Sequence, residues 1–289
     1  MLKGTVELEN LTSDPASSVI TGQMYFNSST NKVRVYDGTS WVDAGSGSGG
    51  SSGSIPSSGL ELHLEADNAS SYSGSGTTWT DISGNNRHWN VSASGFVSSG
   101  IKHFDFSNGY RATYTGGGGG SSLTDVPAYA NATIIAFSTV TISNNFQTMT
   151  RGAANDHQVI IKDNSDDLGA YDNDNATGNF YDSGYNITSV TNYNTKFNGL
   201  FFRRSTSSPY WAFSVNNDTS NRATITDSRT TYNNGFACIG NFHNFSATTY
   251  STTNSQPWGK FHAFLYYSRQ ISFSEQADIY NYYKTALGI

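Results

Sequence analysis

The chain has 289 residues, and 16 basic against 22 acidic side chains leave a formal charge of -6, the wrong sign for coating nucleic acid. Only 13% of residues are charged, about half the usual share, while five tryptophans, 18 tyrosines and 17 phenylalanines stand in a background rich in Gly, Ser, Thr and Asn; this favours turn-rich β structure over helices. No run approaches the ~20 apolar residues that cross a bilayer, Met1-Leu2-Lys3-Gly4 lacks a signal peptide's apolar run, and the single Cys238 permits no internal disulfide. Membrane insertion and Sec-type export are not expected, and stability must come from burial or from other subunits.

In chain order, 22–27 and 32–36 are two short β-type runs around the turn-prone Ser28-Ser29-Thr30-Asn31, and Asp37-Gly38-Thr39-Ser40 leads to Trp41-Val42. This three-stranded hairpin/meander has too little interior to stand alone, so residues 1–44 are read as an anchor and oligomerisation module, a trimer being preferred. Residues 45–59, GSGSGGSSGSIPSSG, read as a linker. From 60 onward, strands are expected over 60–66, 102–106, 133–142, 158–162, 200–204, 210–216, 236–242 and 260–267. In the last, Phe261, Ala263, Leu265 and Tyr267 alternate with His262, Phe264 and Tyr266, so the two sets should face opposite ways. Many strands and few helices indicate a β-sandwich. Ser272-Phe273-Ser274-Glu275 is a capping-box spacing before the apolar stripe Ile279, Tyr282, Tyr283 and Leu287, and Gly288 suits the C-terminal cap of a short helix.

Several ordered fragments carry a resemblance: Leu60-Glu61-Leu62-His63-Leu64-Glu65-Ala66-Asp67, Trp79-Thr80-Asp81-Ile82-Ser83-Gly84-Asn85, Phe104-Asp105-Phe106-Ser107-Asn108-Gly109, Ile239-Gly240, and 259–269 with Ile271-Ser272, Glu275 and Tyr282. Together they resemble the concanavalin A-like, laminin-G-type jelly-roll domains, which implies an all-β jelly-roll sandwich over 60–289. The run Gly22-Gln23-Met24-Tyr25-Phe26-Asn27 with Lys32-Val33-Arg34-Val35-Tyr36-Asp37-Gly38-Thr39-Ser40-Trp41 is similar to an element of tailed-phage fibre and appendage proteins. The combination resembles a bacteriophage virion decoration or fibre protein, and it implies a virion-surface location, other virion proteins as partners of residues 1–44, and adhesion to host glycans. The competing readings are a secreted bacterial adhesin and a glycoside hydrolase.

Glu61, His63 and Glu65 alternate along one strand. Laminarinase-type relatives use carboxylates in an E-x-D-x-E pattern, but His63 stands at the middle Asp, and the expectation is a solvated strand face in a protein that is not an enzyme. Asp163, Asp167, Asp172 and Asp174 gather oxygen ligands of the kind Ca²⁺ takes; their spacing departs from an EF-hand, Asx-rich turns explain the same letters, and no other cofactor is indicated. Tyr171, Phe180, Tyr181, Tyr185, Tyr193, Tyr210, Trp211, Tyr232, Phe242, Phe245, Tyr250 and Trp258 are the aromatics from which a sugar-stacking surface could be drawn. The glycine run 116–120 lacks the Lys-Ser/Thr of a phosphate loop, and Cys238 reads as a buried structural thiol.

Overall fold

The computed structural model describes residues 7–36, 38, 40–43, 53–114, 126–143, 146–152, 157–172, 178–227, 235–241 and 256–289. The glycine run, Asp174, Tyr232, Phe242, Phe245, Tyr250 and residues 45–52 of the linker lie outside these. Contacts divide the chain into Met1–Ser54 and Ile55–Ile289.

The first unit is a four-stranded sheet, Glu9–Leu11, Met24–Asn27, Lys32–Tyr36 and Trp41–Asp43, in chain order. The meander is present, and Glu9–Leu11 adds a parallel edge strand that its polar, non-alternating letters did not announce. One face is polar and aromatic. Asp14 accepts from the Tyr25 hydroxyl and from Arg34 (3.0 Å), Arg34 also reaches Asp43 (2.6 Å) and the Trp41 carbonyl, and the Trp41 indole donates to the Pro15 carbonyl (3.0 Å). The register puts Met24 opposite Val35 and Phe26 opposite Val33 on the other face, where Met24 is 47% exposed. Tyr25 is the one buried hydrophobic side chain among the described residues of this unit.

The second unit is the expected all-β jelly-roll sandwich. The front sheet runs in the order Asn179–Asn186, Asp167–Asp172, His157–Ile161, Gln147–Arg151, Cys238–Ile239, Ala112–Tyr114, Trp89–Asn90 and Thr78–Trp79. The back sheet runs Ala223–Ile225, Trp211–Val215, Asn198–Arg204, Ala132–Ser138 and Lys260–Tyr267; this last strand pairs on its far side with both Leu60–Glu65 and His103–Asp105, which continues to Phe96–Val97. Residues 55–59, assigned to the linker from sequence, belong here instead. Ile55 packs on the core, the Tyr267 hydroxyl donates to the Pro56 carbonyl (2.9 Å), and Arg269 donates to the Ser58 carbonyl (2.8 Å). An isoleucine and a proline within a Gly/Ser tract were the only cue.

Two cores share the back sheet. The larger, between the sheets, holds Leu62, Leu64, Trp79, Trp89, Phe202, Phe213, Phe264 and Tyr266; the smaller joins Ile135, Phe137, Ala263, Leu265 and Tyr267 to Ile279, Tyr283 and Leu287 of the helix Phe273–Leu287. The alternation expected over 260–267 breaks once. Phe137 pairs with Ala263 but Ser138 with Phe261, so a bulge at His262 turns Phe261 into the larger core. The helix begins as its spacing foretold: the Ser272 hydroxyl accepts the Glu275 N–H (3.2 Å), the Glu275 carboxylate accepts the Ser272 N–H (2.8 Å), and Gly288 closes the end at φ 65°.

Strands Gln147–Arg151, Asp167–Asp172 and Asn179–Asn186 were not anticipated. Asp, Asn and Gly are poor strand formers in isolation, but cross-strand pairing overrides that preference.

The pH dependence of stability should have two limbs. Burial holds His262 and His103 below the ordinary histidine value of 6.5. Unfolding therefore takes up protons below that pH, and stability is full above it and lost as pH falls through it. Arg269 holds Glu275 down from 4.5 to about 2, so its contribution is present above 4.5 and lost toward pH 2. Thermal melts across pH should show both declines, with His262→Gln flattening the upper limb and Glu275→Gln the lower.

Candidate functional site

The carboxylates of Leu60–Glu65 do not converge. A register shift between Tyr266 and Tyr267 leaves Glu61 as the bulged residue, and its carboxylate pairs with Arg87, whose Nη1 also donates to the Glu61 carbonyl (2.8 Å). Glu65 instead lies under the helix, 3.2 Å from His63 Nε2, and Tyr283 touches both: its hydroxyl is 2.8 Å from His63 Nε2 and donates to Glu65 (3.4 Å). The solvated face expected here is in fact buried, with His63 7% and Glu65 9% exposed. Burial, reinforced by Glu65, raises the Tyr283 phenol well above its ordinary value, so it stays a neutral donor. Asp81 is consumed locally by the N–H groups of His63 (3.0 Å), Ser83 (2.9 Å) and Arg87 (3.0 Å). That loop is scaffold. Tyr283→Phe should cost about 1–3 kcal/mol in chemical denaturation, because it strips the donor from a buried pair.

Asp167 and Asp172 occupy opposite ends of one strand, roughly 17 Å apart at 3.3 Å per residue, and Asp163 lies in the turn before it. These three do not share one ion shell, and among the described residues no three His, Cys, Asp or Glu side chains gather as a metal group. Cys238 is buried in its strand, as read from sequence.

The aromatic candidates sort by face. Trp258 is wholly buried with its indole donating to Ser138 (3.1 Å), and Trp211 is core. Tyr181, Tyr185, Tyr193 and Tyr210 lean on the larger core. Tyr171 and Phe180 differ: they are directly paired between the edge strand Asn179–Asn186 and its neighbour, and both stay partly exposed on the outer face of the front sheet. Phe146 completes the group at 6.1 Å from Tyr171 and 6.3 Å from Phe180, His157 stands 5.8 Å from Tyr171, and the Lys162 ammonium lies 5.5 Å from the Phe180 centroid. Beside them Thr148 donates to Gln256 (3.0 Å), which leaves the His157 ring nitrogen, 3.1 Å from the same hydroxyl, as donor.

The platform depends on two missing side chains. A Cβ at Gly169 would fall 2.5 Å from the Phe180 ring and 2.3 Å from the Tyr181 carbonyl, and one at Gly178 would fall 2.0 Å from the Tyr171 hydroxyl. Each ring therefore lies across ground that only glycine leaves open. Electron-rich ring faces of this kind attract the electropositive C–H face of a pyranose, while the Thr148 hydroxyl and His157 imidazole beside them are buried and bonded to one another, so they brace the platform. Sequence reading named Tyr171 and Phe180 but not Phe146, His157 or Lys162; the period-2 spacing of Gly169 and Tyr171 against Leu168 and Ala170 was the signal available.

No family model and no curated protein matches the chain. Among solved structures it is similar to Trypanosoma rangeli sialidase in complex with sialic acid (TM-score 0.49, 10% identity, 81% of this chain and 34% of that one). It is also similar to a T. rangeli sialidase mutant displaying trans-sialidase activity (0.49, 11%, 82% and 35%) and to an HCR/D mutant (0.49, 14%, 78% and 51%). The chain thus spans about a third of the sialidases' length and about half of the HCR/D chain. The expectation of a protein that is not an enzyme is corrected by these matches. Enzymes stand among the structures it resembles, so this sandwich gives no ground for excluding catalysis, while a likeness this distant assigns none.

Gly169→Ala should displace Phe180 and strain the edge pairing, at about 1–3 kcal/mol by thermal melt. An unchanged melting point would show that the ring does not lie where the structure puts it.

Proposed function

We propose that residues 55–289 are a lectin-like module that binds glycans through the Phe146, Tyr171 and Phe180 platform. The observation that carries this reading is the pair of partly exposed rings laid across Gly169 and Gly178, an arrangement that keeps flat apolar surface from being wholly buried. Calorimetry with an oligosaccharide panel on the full chain should find weak binding, and Phe180→Ala should reduce it at least about tenfold with little change in melting point. Equal binding by the variant would remove the platform from the account.

We further propose that the module belongs to a bacteriophage virion protein, a capsid decoration or a head or tail fibre, which residues 1–44 attach to the particle surface. Two things support this: the likeness of 22–41 to an element of phage appendages, and a sheet whose Met24, Phe26, Val33 and Val35 form a charge-free apolar face over almost no interior. Copies joined there, a trimer by preference, would raise weak single-site affinity through effective concentration. Light scattering on the full chain should find an oligomer, and Met24→Asp should dissociate it. A wild-type monomer would contradict this part.

A further inference from the structure

The electrostatic setting of the platform bears on which glycans it can accept. Residues 162–186 carry one lysine and six aspartates and no arginine, a formal -5 out of the chain's -6. Two of these aspartates lie on the platform's own face. Asp182 is two residues from Phe180 and paired with Gly169, and it is exposed; Asp167 is two residues from Gly169 on the same side of its strand, opposite to the inward Leu168 and Ala170. Side chains two apart in a strand stand about 7 Å from one another, so a ring stacked on Phe180 is within reach of the Asp182 carboxylate. Lys162 faces the same ground and already sits over the Phe180 ring.

We infer that the platform selects neutral glycans and discriminates against acidic ones such as sialosides and uronates. Carboxylates accept hydrogen bonds from vicinal sugar hydroxyls, whereas a carboxylated sugar brought to the same surface meets the like charges of Asp167 and Asp182. The recognition sites that favour acidic ligands rely on arginine forks, and the segment has none. This inference rests on the platform being the binding surface.

The test is calorimetry on the full chain with pairs of oligosaccharides differing by one sialic or uronic acid, at low and high ionic strength, each with calcium and with EDTA. The neutral member should bind about tenfold more tightly at low salt, with or without calcium. The gap should narrow at high salt and in Asp182→Asn, because both weaken the repulsion. Tighter or equal binding of the acidic member, abolished by Phe180→Ala, would overturn the selectivity and leave the platform standing. Binding that ignores Phe180→Ala, or no binding to any member, would overturn the platform and this inference with it.

Discussion

The fold depends on one strand that is buried on both sides. Lys260–Tyr267 sits in the middle of the back sheet, bonded to Ala132–Ser138 on one flank and to Leu60–Glu65 and His103–Asp105 on the other. Its side chains feed the inter-sheet core through Phe261, Phe264 and Tyr266, and the helix core through Ala263, Leu265 and Tyr267. With apolar residues committed to both faces, the helix has to cover the outside of this sheet, and Tyr283 brings the one phenol that satisfies His63 and Glu65 beneath it. The outer side of the back sheet is thereby taken up with stability. Partly exposed aromatic rings also lie at the edge of the front sheet, where Asp167–Asp172 and Asn179–Asn186 pair, while Tyr282 on the helix is 39% exposed.

Arg203 shows how far the helix side is given over to structure. It is 6% exposed, donates to the Ile271 carbonyl (3.1 Å) and the Ser214 hydroxyl (2.8 Å), and also binds the Gln276 amide oxygen, while its guanidinium lies 4.5 Å from the Phe273 ring. Burial pulls its pKa down to about 10, yet it remains charged at neutral pH. Neutral partners on two elements hold it, so it works as a bolt between helix and sheet.

What sequence could show followed from how strongly local letters constrain the backbone. Alternation in 263–267, the inward Leu62 and Leu64, and the Ser272/Glu275 spacing each have few alternative readings, and each is found in the structure. The segment 163–186 was opaque because Asp, Asn and Gly serve both turns and tolerant strands; only pairing with His157–Ile161 decides for strand, and pairing is not local. The bulges at Glu61 and His262 were equally hidden, since a single extra residue reverses a face without altering composition. The same opacity concealed the platform, because nothing local tells that Gly169 and Gly178 make room for the rings.

The segment therefore presents aromatic surface kept open by Gly169 and Gly178, with Asp167 and Asp182 on the same face. The most direct measurement is a map of backbone amide shifts by heteronuclear NMR as a neutral oligosaccharide is added to the full chain. The account predicts that the largest shifts fall on Gly169, Tyr171, Gly178, Phe180 and Asp182. Shifts centred on His63, Glu65 and Tyr283 would contradict it.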